Sequence, residues 1–131
     1  LQLKKIKKFN KARNNIAKLY NSKLSKITNK IKIPYIPKGF THSFQMYTIT
    51  VEAKIRNKLL NYLKKNDIEA SAHFDPPLHL QKYLKKFNKK KLTVTEKLSK
   101  QIITLPIFPD MTKKEVTYVT ETISRFYKVN N

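Results

Sequence analysis

Three histidines, His42, His73 and His79, are the residues in this 131-residue sequence best suited to chemistry near neutral pH. A neutral imidazole offers one donor and one acceptor, and a protonated one offers two donors. Two of the three bracket a short stiff segment, His73-Phe74-Asp75-Pro76-Pro77-Leu78-His79. Each proline disfavours helix in the residue before it, so the segment reads as an extended loop with little freedom to lose. Such a loop can present two imidazoles to a ligand, or its histidines can simply bond to loop backbone; the residues alone support both readings. His73, Asp75 and His79 could in principle ligate a metal, but two prolines interrupt the spacing and no second ligand cluster accompanies them, so no metal site is expected.

Other catalytic templates are missing. There is one glycine, Gly39, which excludes the common glycine-rich phosphate loops. The sequence has no serine nucleophile elbow and no His-Glu-x-x-His helix. It also has no cysteine, and so no thiolate nucleophile, no thiolate metal site and no disulfide framework. No residue is assigned a catalytic role.

The formal net charge is +21. A charge of that size suits nucleic acid, an anionic membrane surface or another polyanion. Yet 26 of the 29 basic residues are lysine, and only Arg13, Arg56 and Arg125 carry the flat guanidinium that reads bases and phosphates in pairs of hydrogen bonds. Solvated lysine is therefore the preferred reading, with no specific nucleic-acid partner expected. A stand-alone basic module for polyanions is the alternative. No apolar run is long enough to span a bilayer, and the first residues lack the apolar core of a signal peptide, so no membrane partner is expected. With the absence of cysteine, a cytoplasmic location is expected. Position 1 is Leu rather than Met, which is expected of a processed chain or an excerpt of a longer one.

The elements that must hold the loop can be read from apolar periodicity. Residues 1–33 read as a long helix, with Leu3, Ile6, Phe9, Ile16, Leu19, Tyr20, Leu24 and Ile27 at helical spacing. No acidic residue precedes Glu52, so this helix has no ion pairs of its own and must be held by packing its stripe. Part of that packing is expected on the rest of the chain and part on surface outside it. Pro34, Pro37 and Gly39 break the chain. Residues 43–51 alternate with bulk on both faces and predict a strand buried on both sides. A helix over 55–66 would bury Ile55, Leu59, Leu60, Tyr62 and Leu63, and a short strand would return over 68–73. A short helix over 80–87, a basic turn at Lys89-Lys90-Lys91 and a helix over 93–100 follow, the last capped by Thr93 with Glu96. A strand over 101–105 ends at Pro106. Thr112 with Glu115 forms a second capping box for a final helix burying Val116, Val119, Ile123 and Phe126. Few strands separated by helices predict an α+β layer, one small sheet with helices on one side.

Across this order the sequence resembles the DegT/DnrJ/EryC1/StrS aminotransferases. The run 68–81, with Ile68, His73, Pro76-Pro77, His79 and Gln81, is similar to the family's His-aromatic, proline, His-x-Gln stretch. Arg13, Ala17, Tyr20 and Asn21 resemble its Arg-x-x-x-Ala-x-x-Tyr-Asn run, and Gln2 and Leu3 the end of its Ala-x-Gln-Leu helix. Arg56 and Leu59 match its Arg-Asp-x-Leu helix start. Glu96, then Leu105, Pro106 and Pro109, then Thr112, Val116 and Val119 follow in the family's order. The sequence departs from the pattern at Phe74, where Tyr is common, and at Asn66-Asp67, where a Gly usually precedes Ile68.

The resemblance implies the small C-terminal domain of a fold-type I, pyridoxal-phosphate-dependent enzyme, with residues 1–33 as a connecting helix and 34–131 as the small domain. It implies transfer of an amino group, from glutamate, to a keto-sugar nucleotide by a homodimer. The cofactor and its Schiff-base lysine would lie in a large domain that these residues do not include, so no lysine here is assigned to the cofactor. His73, His79 and Gln81 would lie where the nucleotide sugar enters.

Overall fold

The fold is taken from a computed structural model, which describes residues 3–87 and 90–129. The elements run α1 (Ile6–Leu24), β1 (Tyr47–Thr50), α2 (Ala53–Lys65), α3 (Thr93–Ser99), β2 (Ile102–Leu105) and α4 (Lys113–Val129), with short 3-10 turns at Leu3–Lys5, Leu78–Leu80 and Lys82–Phe87. The two strands pair antiparallel, Tyr47 opposite Leu105 and Ile49 opposite Ile103. Those four side chains are fully buried and form the sheet's core face. Helix α1 lies against α4, α4 against α2, and α2 against β2. The α+β architecture is thus as the sequence predicts.

Several boundaries differ from the sequence reading. Helix α1 stops at Leu24, not near Ile33. Beyond it the chain turns, and Lys32 then exchanges both backbone hydrogen bonds with Thr50 at 2.8 and 2.9 Å. An added row beside β1 satisfies backbone that a longer helix would have satisfied internally, and Ile31 enters the core there. The stripe of α1 is also divided. Ile16, Tyr20 and Leu24 are buried, whereas Leu3 and Ile6 are exposed.

The strand predicted over 68–73 shrinks to one bridge, Ser71 with Thr104. The prolines that follow at 76 and 77 have no N–H to extend it. Strand β1 is buried on one face only. Its other face is half-buried, and there the hydroxyls of Thr48 and Thr104 meet at 3.1 Å.

Asp67 takes the place of the family's usual Gly. Its φ of 55° is the left-handed conformation that ends α2. The Asp67 N–H reaches the Lys64 carbonyl and the Ile68 N–H the Leu63 carbonyl, which is the paired closure of a Schellman turn. Asp tolerates that conformation better than most side chains, so the turn survives the loss of glycine.

The two expected capping boxes fare differently. At α4 the box is complete: the Thr112 N–H and hydroxyl both donate to Glu115, and the Glu115 N–H donates to Thr112 Oγ1. At α3 the helix begins with Thr93 itself, and Leu92 is the residue before it. There only the reach-back half forms, from the Leu92 N–H to Glu96 Oε1 at 3.1 Å. The basic turn's Lys89 lies outside the described residues.

Donation from Thr112 holds the Glu115 carboxyl below its ordinary range, the backbone N–H first and the hydroxyl second. A depressed folded pKa contributes stability above the unfolded carboxylate pKa and loses it as pH falls through the folded value. Thr112→Ala removes the N-cap oxygen as well as one of the two donors to Glu115, and the lost cap alone ordinarily costs about 1 kcal/mol at neutral pH. The difference from the parent should shrink on acidification below the carboxylate range. Urea melts at both pH values check it, and a difference unchanged by acid would contradict it.

Candidate functional site

The loop 73–81 is built from two clamps. The first is Arg56 on α2, which is not among the residues that apolar periodicity marks for burial but is 7% exposed. Its guanidinium pairs with the Asp75 carboxylate through Nη2 and donates from Nε to the Lys100 carbonyl at 3.2 Å. One buried cation thereby ties the loop to the C-terminal end of α3. The second clamp is His79 Nε2 on Glu96 Oε1 at 3.3 Å, the same oxygen that accepts the Leu92 N–H. The two donors hold the Glu96 carboxyl below its ordinary range, His79 first and the Leu92 N–H after it. Pro77 is buried between the clamps.

Outside the clamps the loop is open. His73 is exposed, and its Nδ1 lies 2.9 Å from Ser71 Oγ, the residue bridged to β2. Phe74, with a positive φ of 60°, and Leu78 are each 66% exposed, and Gln81 is exposed. His79 shows only 13% of its side chain. The loop thus presents His73 and Gln81 broadly and one edge of His79. Exposed lysines at 82, 86, 90, 91 and 100 stand in the same stretch of sequence and in the turn that Arg56 grips. That positive field favours an anionic ligand.

Asp75 is committed to Arg56, His79 to Glu96 and His73 to Ser71. Among the described residues no group of three or more His, Cys, Asp or Glu side chains converges to hold an ion. The third histidine is structural. His42 Nδ1 accepts the Phe44 N–H at 2.9 Å, its carbonyl accepts Asn14 Nδ2 at 2.8 Å, and its ring lies against Phe44.

The residues matching the Arg-x-x-x-Ala-x-x-Tyr-Asn run also hold the fold. Arg13 Nε donates to the Ser43 carbonyl at 3.0 Å. Ala17 is buried. Tyr20 stacks on Tyr47 at 4.7 Å and donates to the Pro106 carbonyl at 2.9 Å, and Asn21 Oδ1 accepts the Tyr47 hydroxyl at 2.6 Å. Burial pushes both phenols well above the ordinary tyrosine range, so both stay protonated donors.

Comparison with known proteins agrees with this architecture. The family profile of the DegT/DnrJ/EryC1/StrS aminotransferases matches residues 1–124. The uncharacterized protein MJ1066 of Methanocaldococcus jannaschii is 33% identical over 98% of this chain and 35% of its own length. A UDP-4-amino-4-deoxy-L-arabinose--oxoglutarate aminotransferase of Shewanella sediminis is 32% identical over 94% of this chain and 34% of its own. The crystal structure of a DegT DnrJ EryC1 StrS aminotransferase from Brucella abortus superposes with a TM-score of 0.84 at 28% identity, covering 95% of this chain and 32% of that one. The chain spans about a third of the length of the curated relatives it matches.

The family's cofactor is pyridoxal phosphate. The residues present here do not fit it. A Schiff-base lysine needs a desolvated pocket, and no lysine whose side chain is described is buried. The one glycine, Gly39, lies in an exposed turn with open space around it, not in a phosphate cradle. Fold, motif order and profile converge on one statement: the chain belongs to the DegT/DnrJ/EryC1/StrS aminotransferase family.

Proposed function

We propose that this chain is the small C-terminal domain of a homodimeric transaminase that moves an amino group from glutamate to a keto-sugar nucleotide, with 1–33 as the connecting segment and 34–131 as the body of the domain. The observation that carries the reading is the loop 73–81, clamped at Asp75 and His79 yet open at His73 and Gln81. Clamping at two points removes motion that ligand binding would otherwise have to freeze. His73, His79 and Gln81 supply donors and acceptors for sugar hydroxyls, and the lysines around them favour the nucleotide's phosphates. The relative from Shewanella sediminis is named for a UDP-linked amino sugar and oxoglutarate, the product side of the same chemistry.

In this reading the residues of the chain bind and orient substrate, and the amino transfer itself is the cofactor's chemistry in the large domain. Two assays test it. Joined to a cofactor-binding large domain, the chain should support release of 2-oxoglutarate from glutamate only when a keto-sugar nucleotide is present. The 131 residues alone should show no Schiff-base absorbance with pyridoxal phosphate. A Schiff-base band lost on changing one lysine of this chain would overturn the assignment.

Against the polyanion reading, the transaminase reading makes a prediction of its own. Lysine point charges give counterion release without base readout, so DNA binding should be sequence-blind and lost at moderate salt. Fluorescence anisotropy against salt separates the two, and selective binding that survives high salt would favour the basic module.

A further inference from the structure

The Glu96 carboxylate does more than fasten a loop. Two donors converge on its single Oε1 atom, the Leu92 N–H at 3.1 Å and His79 Nε2 at 3.3 Å. A carboxylate is acceptor-only, so the nitrogen facing it must carry the hydrogen. The bond made by one imidazole nitrogen decides the state of the other. We propose that Glu96 is a positioning residue for substrate recognition: it fixes neutral His79 as the Nε2–H form, so that His79 meets the nucleotide sugar through an unprotonated Nδ1.

The consequence is a specific choice of partner. An Nδ1 lone pair accepts a hydrogen bond, so neutral His79 reads a hydroxyl, which can donate, and not a phosphate oxygen, which cannot. The phosphates are left to the cationic surroundings of the loop. His73 differs, because its Nδ1 faces the Ser71 hydroxyl, which can donate or accept and leaves either form open. One histidine of the pair is thus set and the other is adaptable. The support for Glu96 as the setting group comes from the helix that carries it and from how that helix is tied to the loop. Glu96 sits on α3, and the carbonyl of Lys100, the residue that caps the helix's C-terminus, is held by the buried Arg56. Arg56 in turn holds Asp75 in the same loop. Helix and loop are therefore locked in one register, and the carboxylate is carried to the ring by the scaffold. Its ionised state is favoured by the same two hydrogen bonds, His79 first, and further by the charge of Lys91.

This inference rests on the loop's role proposed above, and its test separates the two. Nitrogen spectra of histidine-labelled full-length protein, taken well above the ordinary imidazole range, should show His79 with a protonated Nε2 and a bare Nδ1. The His79 signal is identified by its loss in H79Q. Glu96→Gln keeps the size but offers an amide that can donate or accept, so it should give a mixture of the two forms. It should also raise KM for the keto-sugar nucleotide about fivefold with kcat and the glutamate KM unchanged, the pattern of an interaction made equally in ground and transition states. Glu96→Asp, which keeps an acceptor-only group, should restore part of the loss. A dominant Nδ1–H form, or an unchanged form in Glu96→Gln, would overturn the inference. If His73→Ala raises the nucleotide-sugar KM and Glu96→Gln does not, the role of Glu96 falls while the loop's role stands. If neither does, the loop's role falls as well.

Discussion

Replacing Asp75 with Ala should destabilise the protein by about 3 kcal/mol, more than replacing its partner Arg56 with Met. The asymmetry follows from burial. The Arg56 side chain is 8% exposed and that of Asp75 is 32% exposed. Removing Asp75 leaves a largely buried cation with, among the described residues, the Lys100 carbonyl to accept from it. Removing Arg56 leaves a carboxylate that can rehydrate, and Met fills most of the space, so the cost should fall to about 1–2 kcal/mol. The double variant should lie close to Arg56→Met alone, because the stranded charge is gone from both. Urea unfolding of the four proteins checks the ranking. Equal costs for the two single variants would mean that Asp75 does not compensate a buried charge.

Tyr20→Ala should be costlier still, about 3–5 kcal/mol, the usual range for deleting a buried aromatic ring. Tyr20 is fully buried and stacks on the equally buried Tyr47, so the cavity would open between α1 and β1. Tyr20→Phe isolates the hydroxyl. It leaves the Pro106 carbonyl without its donor and should cost about 1 kcal/mol. Thermal melts of both variants test whether the Arg13, Ala17, Tyr20 and Asn21 run serves the fold. A Tyr20→Ala protein as stable as the parent would return that run to a role elsewhere.

Much of the fold was legible because apolar periodicity reports burial directly. Val116, Val119, Ile123 and Phe126 recur on one face of α4 and are buried there, and Thr112 with Glu115 marks its start. The failures have physical causes. Residues after Leu24 keep an apolar spacing that suits a helix or an edge row, and the pairing of Lys32 with Thr50 is a tertiary fact that local pattern does not contain. Thr93 looked like a cap because Glu96 follows it by three, yet Glu96 reaches Leu92 and is shared with His79, seventeen residues away in sequence.

The site was legible in part. The prolines and histidines marked a stiff loop, but nothing in local spacing showed what fixes it. Arg56 sits at a helix position where arginine is ordinarily solvated, and its burial is known only once the loop brings Asp75 to it. The one available signal was the resemblance itself, which singled out Arg56 and Glu96 without saying why. The structure supplies the reason for both: one holds Asp75 and the other holds His79.

Steady-state kinetics of His73→Ala, with this chain joined to a cofactor-binding large domain, tests most directly the proposal that the loop 73–81 faces the nucleotide sugar. His73 is exposed and, among the described residues, its side chain hydrogen-bonds to Ser71, so its loss should leave the fold intact. One hydrogen bond lost to substrate corresponds to about a five- to tenfold rise in KM for the keto-sugar nucleotide. The KM for glutamate should stay within about twofold of the parent, because uniform binding of the other substrate is untouched. A rise shared equally by both substrates, or no rise in either, would contradict the account.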